Sequence, residues 1–187
     1  MIANWYKFQA EAPADRLVFL DESGAKANMT RLYGRSPKGK RCFCKTPDGR
    51  WERVTMLSAT RLDGSVESIV FEGATDRAIF DEYITGTLAP TLRPGDMLVL
   101  DNLGVHKSPA MQEAVEARGA EVRFLPPCSP DMNPTEKMWS KVKAALRRIE
   151  ARTDEGLFDA VGVALAMVTA SDAKGWFEPC GYMASKS

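Results

Sequence analysis

Residues 124–148 read FLPPCSPDMNPTEKMWSKVKAALRR, in which a short apolar run ends in two prolines and leads into a loop of turn formers. Good helix formers extend from Thr135 to Arg148, which places Glu136 in the first turn of a predicted helix. Apolar residues recur along it at three- and four-residue steps, so one face is expected to pack inward. They are Met138, Trp139, Val142, Ala145, Leu146 and Ile149. The stretch therefore predicts a carboxylate at the start of a buried helix with basic flanks, an arrangement suited to phosphates.

Two other apolar runs end in aspartates. Residues 17–21 read LVFLD and residues 97–101 read MLVLD. Both runs are short and apolar throughout, as is typical of strands covered on both faces. Open α/β sheets place their ligand sites at the carboxyl ends of such strands. We therefore expect Asp21, Asp101 and Glu136 to meet at one point, although they are far apart in sequence.

Such a trio of carboxylates has a clear chemical use. Hard cations such as Mg²⁺ prefer carboxylate oxygens and keep several waters, which leaves room for a phosphate oxygen and an attacking hydroxyl. Two ions about 4 Å apart stabilise the entering and leaving oxygens of an in-line displacement at phosphorus. A single acid at a strand end is more simply explained as a turn or helix cap. A metal site is therefore predicted only from the three acids together.

Several separated motifs carry a resemblance to a known family. They are LDESG at 20–24, LDNLGVHKS at 100–108 and LPPCSPDMNPTEKMWSKVK at 125–143. These segments resemble the catalytic motifs of DDE transposases, in particular the bacterial insertion sequence 630 family, which is related to the mariner transposases. The 34 residues between Asp101 and Glu136 match the spacing that the resemblance leads one to expect, and WFEPCGY at 176–182 resembles that family's terminus.

The resemblance implies a fold, a reaction and a cofactor. The implied fold class is α/β, an RNase H-like (retroviral integrase-like) fold with a mixed central sheet flanked by helices, covering residues 1–187 as one catalytic domain. Asp21, Asp101 and Glu136 then become a catalytic triad that binds Mg²⁺ or Mn²⁺, as two ions. Water cuts the phosphodiester at the transposon end, and the freed 3′ hydroxyl attacks target DNA. Cys128 departs from the family pattern, where an aromatic is more usual, but no metal ligand is lost.

The resemblance also implies partners and a location. We expect DNA partners, namely transposon ends and a target with a TA dinucleotide, and a homodimeric synaptic complex. Family members usually carry helix-turn-helix modules ahead of the catalytic domain, whereas about twenty residues precede Asp21 here. The chain is therefore expected to be joined to an upstream helix-turn-helix frame, or to act without one. A cytoplasmic, nucleoid-associated bacterial protein is expected, because no apolar stretch reaches the roughly 20 residues of a membrane span.

Three further residues are candidates for supporting the site. Glu22 follows Asp21 and is either a helper ligand or a solvent-facing residue. Because side chains alternate along a strand, Asp21 and Glu22 should not point the same way, and Asp21 is taken as the ligand. Asn102 either orients Asp101 or a water, or caps the turn. His106, the only histidine, is either a turn residue or lies near the scissile phosphate.

Charge is neutral overall but unevenly distributed. Formal net charge is zero, whereas residues 26–53 hold nine basic residues against two acids, interleaved with aromatics. Cations that neutralise phosphates beside aromatics that stack bases are typical of nucleic-acid binding, although a solvated loop and hairpin has the same composition. The predicted DNA contacts are Arg31, Tyr33, Arg35, Lys38, Lys40, Arg41, Lys107, Lys137 and Lys141.

The remaining pattern predicts an ordinary globular domain of 187 residues, 44% of them hydrophobic and 27% charged. The four cysteines are too poorly spaced for a disulfide framework or zinc site, so free thiols are expected. Asp48-Gly49 predicts a hairpin turn, and a loose terminus is expected from Lys174-Gly175. Further strands are predicted at 51–61, 65–71 and 121–125, and further helices at 76–88, 109–118 and after Thr153.

Two alternatives to a transposase remain open at this point. One is an RNase H-like nuclease that cuts DNA without joining it. The other is an inactive or partial transposase remnant that binds DNA or a partner chain. Insertion of cut ends into a second duplex distinguishes the first, and an upstream frame with helix-turn-helix segments bears on the second.

Overall fold

The core of the molecule is a mixed five-stranded sheet. This computed structural model describes residues 2–43 and 53–183. The strand order is β3-β2-β1-β4-β5, with antiparallel pairing of β1 with β2 and of β2 with β3, and parallel pairing of β1 with β4 and of β4 with β5. The strands are β1 (Leu17–Ala25), β2 (Val54–Arg61), β3 (Val66–Glu72), β4 (Met97–Leu100) and β5 (Glu121–Phe124).

Helices cover both faces of this sheet. The α-helices are α1 (Ile2–Glu11), α2 (Arg77–Glu82), α3 (Pro109–Glu116), α4 (Pro134–Ile149), α5 (Asp154–Ala166) and α6 (Ala170–Phe177). A π-helical segment, Tyr83–Leu88, continues α2. Short 3₁₀ turns lie at Ala14–Arg16, Ala89–Thr91, Gly104–His106, Pro130–Met132 and Glu178–Cys180.

Alternation along β1 divides the apolar core between the two faces. Val18 and Leu20 point to one face, where they join Leu98 and Leu100 of β4 under α2 and α3. Leu17 and Phe19 point to the other face, where α1 and the C-terminal residues cover them. Helices α4 and α5 cover the far half of that second face, above the ends of β1 and β2. Because both faces are covered, residues 17–20 of β1 and 97–100 of β4 are apolar throughout, as their sequence predicted.

The two ends of the described chain pack together on the second face. Trp5 Nε1 donates to Tyr182 Oη at 3.2 Å, and the Tyr182 hydroxyl donates to the Met132 carbonyl at 2.9 Å. Gln9 Nε2 donates to the Cys180 carbonyl at 2.8 Å. Tyr182 is fully buried. This cluster therefore fixes the loop that leads into α4.

The predicted elements between residues 54 and 166 are present, with shifts of a few residues at their ends. The helix predicted at 76–88 changes to π-helical geometry at Tyr83, so it is not a single α-helix. The loose terminus predicted from Lys174-Gly175 is wrong, because both residues lie inside α6, whose start is fixed by a capping box between Thr169 and Asp172. The hairpin turn predicted at Asp48-Gly49 lies outside the described residues.

Cys42, Cys128 and Cys180 are free thiols, as predicted, while Cys44 lies outside the described residues. Within residues 2–43 and 53–183, no single helix is long and apolar enough to cross a membrane. One bent pair of helical segments, Asp154–Ala166 and Ala170–Cys180, meets the criterion together by length and composition, with a bend of 77° between them.

Candidate active site

Strand register places Asp21 and Asp101 at the same level. Phe19 pairs with Val99 in the parallel ladder between β1 and β4, and each aspartate follows two residues later. Asp101 directly follows the last residue of β4. Asp21 was predicted at a strand end, which is wrong: β1 continues to Ala25, because its antiparallel pairing with β2 extends beyond β4. Asp21 therefore lies where β1 outruns its parallel neighbour.

The start of α4 holds the Asp21 carboxylate in place. Asn133 Nδ2 and Thr135 Oγ1 donate to Asp21 Oδ2 at 3.0 and 3.1 Å, and the Glu22 backbone amide donates to Oδ1 at 2.8 Å. Asn133 is also the N-cap of α4, since its side chain accepts from the Thr135 amide. Neither contact with Asp21 was predicted from the sequence. Asparagine before proline at the first helical position is the signal that would have identified the cap.

Asp21 is electrostatically strained in this position. Burial, together with the nearby carboxylates of Glu136 and Asp101, raises its pKa from 3.8 to about 6, despite the lowering effect of its hydrogen bonds. Burial penalises a charge, and like charges penalise one another. Asp21 therefore gains from any cation that enters the space between the three acids.

Asp101 is held from the other side by His106. The imidazole Nδ1 lies 2.5 Å from Asp101 Oδ1, and the Leu103 backbone amide donates to the same oxygen at 3.2 Å. The His106 ring is buried and stacks on Phe80 of α2 with ring centroids 4.7 Å apart. Its Nε2 is buried without a hydrogen-bond partner among the described residues. His106 is therefore a packed residue that orients Asp101.

The two aspartates consequently have opposite pKa shifts. Partial burial alone would raise the pKa of Asp101, but the hydrogen bond and charge of His106, together with the Leu103 amide, lower it below the ordinary value. Hydrogen bonds to the charged form of a carboxylate favour that form. Asp101 is therefore held as a carboxylate anion.

Glu136 completes the group from the first turn of α4, where the sequence predicted it. Its side chain is exposed at the wall of a cavity of about 360 Å³. The cavity is lined by the three acids and by Asn102, Leu103, Leu125, Pro126, Pro127, Cys128, Ser129, Pro130 and Asn133. Three carboxylates from β1, the end of β4 and the start of α4 thus open onto one space.

The donor set of this cavity fits a hard divalent cation. All three acids supply oxygen ligands, which Mg²⁺ and Mn²⁺ prefer. Their mutual repulsion, seen in the pKa of Asp21, is what such a cation relieves. In the described ranges, no three His, Cys, Asp or Glu side chains already lie close enough to hold an ion. The carboxylates share a cavity, and their metal-binding role stays a prediction.

The other predicted support residues occupy distinct positions. Asn102 lines the cavity beside Asp101. Glu22 points away from it, as alternation along β1 requires, and its Oε1 lies 3.4 Å from Arg53 Nη2. Of the neighbouring acids Asp21 and Glu22, Asp21 is thus the one found among the described residues that line the cavity.

The predicted DNA contacts lie in different parts of the molecule. Six lie in the exposed stretch 31–41, which forms neither helix nor strand, and they are Arg31, Tyr33, Arg35, Lys38, Lys40 and Arg41. Lys107 is exposed after the second aspartate, and Lys137 is half-buried on α4. Lys141 Nζ, by contrast, lies 2.5 Å from Asp172 Oδ2, so its charge is already neutralised. A DNA-binding role for these residues stays a prediction.

Comparison with family models agrees with this arrangement. Residues 16–157 match the model of the DDE superfamily endonucleases, which includes all three acids. The match covers well over half of the 187 residues. The chain therefore belongs to the DDE superfamily endonucleases.

Solved structures of the Mos1 mariner transposase share the fold. The paired-end complex with the left transposon end superposes with a TM-score of 0.72 at 15% identity, covering 95% of this chain and 55% of that one. The paired end complex with Mg gives a TM-score of 0.73 at 15% identity, covering 99% and 61%. The isolated catalytic domain gives 0.66 at 14% identity, covering 96% and 82%. The predicted RNase H-like fold is thereby confirmed.

The chain spans a little over half the length of the Mos1 chains in the DNA complexes. A search among curated protein sequences found no match.

Proposed function

We propose that this chain is the catalytic domain of a DNA transposase of the insertion sequence 630 family, which cleaves transposon ends and transfers the cut strands to target DNA. The observation that carries the proposal is the single cavity onto which Asp21, Asp101 and Glu136 open. Membership of the DDE superfamily endonucleases supports phosphodiester cleavage. The resemblance of the three motifs to transposases supports joining as well as cutting.

The three acids are the residues that would hold Mg²⁺ or Mn²⁺, as two ions, and the metal would supply positive charge to offset the charge on the phosphate oxygens. Asn133 and Thr135 fix the orientation of Asp21, and His106 fixes that of Asp101. Holding both carboxylates in advance lowers the cost of assembling the site. The proline-rich wall from Leu125 to Pro130 limits the space around the phosphate.

In the first reaction, water attacks phosphorus, the bond from phosphorus to the 3′ oxygen breaks, and that oxygen leaves with a proton as a 3′ hydroxyl. In the second, this hydroxyl attacks a phosphodiester of the target, one new bond to phosphorus forms and one breaks. The number of phosphodiester bonds is conserved in the second reaction. No covalent intermediate with the protein is needed.

We also propose the partners that the family resemblance implies. They are transposon-end DNA, a TA target, a second copy of the chain in a homodimeric synaptic complex, and helix-turn-helix modules from an upstream frame. We propose a bacterial cytoplasmic, nucleoid-associated location for the same reason. The Mos1 complexes with a transposon end support DNA as a partner of this fold.

The test is strand cleavage and joining on a labelled duplex that carries the inverted repeats flanking the coding region, with Mg²⁺ or Mn²⁺. The purified chain is compared with the same chain fused to the upstream frame. We expect metal-dependent nicking and transfer of the labelled strand to a second duplex. Asp131→Asn is a matched control, because Asp131 is exposed in the same loop region but does not line the cavity.

Two results would change the assignment. Cleavage without transfer by both proteins would favour a nuclease that cuts without joining. Metal-dependent cleavage retained in Asp21→Ala, Asp101→Ala and Glu136→Ala proteins would remove the proposed site altogether.

A further inference from the structure

A second cavity, of about 460 Å³, is lined by four cationic side chains. We call it the basic groove and define it by Lys26, Arg53, Lys143 and Arg147. Lys26 directly follows β1 and Arg53 directly precedes β2, while Lys143 lies in the second half of α4 and Arg147 in its last turn. The described residues that complete its wall are neutral, so the groove carries a concentrated positive charge in a protein of zero net charge.

Helix geometry connects the basic groove to the carboxylate cavity. Lys143 and Arg147 follow Glu136 by seven and eleven residues, which are steps of nearly whole helical turns, so the three lie along one side of α4. At 1.5 Å per residue, the two cations lie about 10 and 16 Å along the axis from Glu136. The groove therefore continues the same side of the helix away from the acids.

Strand β1 also leads from the carboxylate cavity to the basic groove. Gly24 lines the groove and follows Asp21 by three residues in β1, which corresponds to about 10 Å at the rise of a strand. A Cβ atom built on Gly24 would lie 2.6 Å from Arg53 Nε, so the glycine lets the guanidinium lie against the strand. Both elements that position acids thus also lead into the groove.

Most of the charge in the groove is not neutralised by neighbouring acids. Arg53 is paired loosely with Glu22 at 3.4 Å. Lys26, Lys143 and Arg147 form no ion pair within the described part of the chain. Lys143 and Arg147 are half-buried, which restricts their side chains and strengthens their field. Lys141 on the same helix differs, because Asp172 neutralises it.

We propose that the basic groove binds the phosphate backbone of a DNA duplex about three to five base pairs from the phosphodiester that lies at the carboxylates. The spacing follows from the distances of about 10 and 16 Å and the 3.4 Å rise per base pair. The groove wall contains no aromatic side chain among its described residues, so the contact positions the backbone and does not stack bases. The inference rests on the proposed function, since that function places a scissile phosphate at the acids.

The experiment measures the salt dependence of DNA affinity. A fluorescently labelled 30-base-pair duplex is titrated in EDTA between 50 and 200 mM salt with wild-type protein and with the double variant Lys143→Gln/Arg147→Gln. Each lost phosphate contact lowers the slope of log K against log salt by about 0.9. The slope for the double variant should therefore be smaller by about 1.8. Between 50 and 200 mM salt, the affinity of the wild-type protein for DNA then falls about 12-fold more than that of the variant.

The matched control is Arg93→Gln/Arg118→Gln. Both arginines are exposed, and they lie near the amino ends of β4 and β5, at the opposite end of these strands from the carboxylates. The same loss of charge there should leave the slope unchanged. An equal loss of slope in the control, an unchanged slope in the groove variant, or no binding by the wild-type protein overturns the proposal.

Gly24→Ala provides an independent test that removes no charge. The new Cβ displaces the Arg53 guanidinium, and a loss of about 0.9 of slope is expected. Binding in EDTA requires no cleavage, so the two proposals fail separately. If the groove variants keep the wild-type slope and the wild-type protein cleaves DNA, only the proposal for the basic groove is refuted. If the variants lose slope but the wild-type protein never cleaves DNA, the transposase proposal is refuted and the basic groove remains a DNA-binding site.

Discussion

The two sides of the carboxylate cavity differ, although each presents an aspartate at the same level of neighbouring strands. Asp21 faces neutral donors, Asn133 and Thr135, and its pKa is raised to about 6. Asp101 faces a buried imidazole, and its pKa is lowered. Burial and the neighbouring carboxylates raise the pKa of Asp21 despite the donors of the helix N-cap, whereas His106 and the Leu103 amide outweigh the partial burial of Asp101.

This difference shows how a fold can hold three like charges in one cavity. The Asp101 anion is stabilised within the protein, whereas the cost of the assembly falls mainly on Asp21. A cation bound among the acids therefore changes the energy of Asp21 most.

Removing one acid should have the largest effect on activity. Asp101→Asn keeps the size of the side chain but removes a ligand charge, and cleavage is expected to fall by about 10³-fold or more, since such metal sites supply several kcal/mol at the transition state. The measurement is the initial cleavage rate on the labelled duplex. A rate within tenfold of Asp131→Asn would contradict the assignment of Asp101.

Removing the imidazole should have an intermediate effect. His106→Ala leaves Asp101 without its orienting partner, and metal affinity and cleavage are expected to fall by about 10–100-fold. Mn²⁺ affinity and cleavage rate are both measured. His106→Asn places an amide donor near the position of Nδ1 and should restore part of the loss; equal defects in both variants would mean that His106 acts only through packing on Phe80.

Neutralising Asp21 should stabilise the protein. Because the folded pKa of Asp21, about 6, exceeds the unfolded 3.8, its ionisation opposes folding, with no cost below pH 3.8 and the full cost above pH 6. The full cost is about 3 kcal/mol. Asp21→Asn loses one hydrogen bond worth about 1 kcal/mol, which leaves a net gain of about 2 kcal/mol at pH 7.

The check is denaturant unfolding of both proteins at pH 4 and pH 7 without divalent metal. The advantage of Asp21→Asn should vanish at pH 4, where the wild-type carboxyl is protonated. An advantage of the same size at both pH values would show that the pKa of Asp21 is not raised.

The smallest effect is expected at Lys141. Its ion pair with Asp172 is partly exposed, and pairs of this kind contribute about 0.5 kcal/mol or less. Lys141→Gln should therefore change neither unfolding free energy nor the salt slope of DNA binding appreciably. A slope loss near 0.9 would mean that Lys141 exchanges Asp172 for a DNA phosphate.

Local patterns were sufficient to locate the elements that carry the site. The runs 17–21 and 97–101, and the helical spacing after Pro134, predicted β1, β4 and α4 because each is buried along a regular repeat. The position of Glu136 in the first turn followed from the turn formers before it and the helix formers that begin at Thr135. These features depend on neighbours in sequence.

Features that depend on long-range pairing were not predictable in this way. The extension of β1 past Asp21 is set by its ladder with β2, whose paired residues are 29 to 35 positions away in sequence. The contact between Trp5 and Tyr182 joins residues 177 positions apart. The neutralisation of Lys141 by Asp172 likewise requires α4 and α6 to be packed together. The sequence therefore predicted which acids share the cavity, and the structure identified their hydrogen-bond partners.

The most direct test of the central claim is calorimetric titration of the folded chain with Mn²⁺, because it needs no knowledge of the DNA substrate. The account predicts that the wild-type protein and Asp131→Asn bind with equal affinity. It predicts that Asp21→Asn, Asp101→Asn and Glu136→Gln each bind at least tenfold more weakly. Unchanged Mn²⁺ affinity in all three variants would contradict the claim that these carboxylates form one metal site.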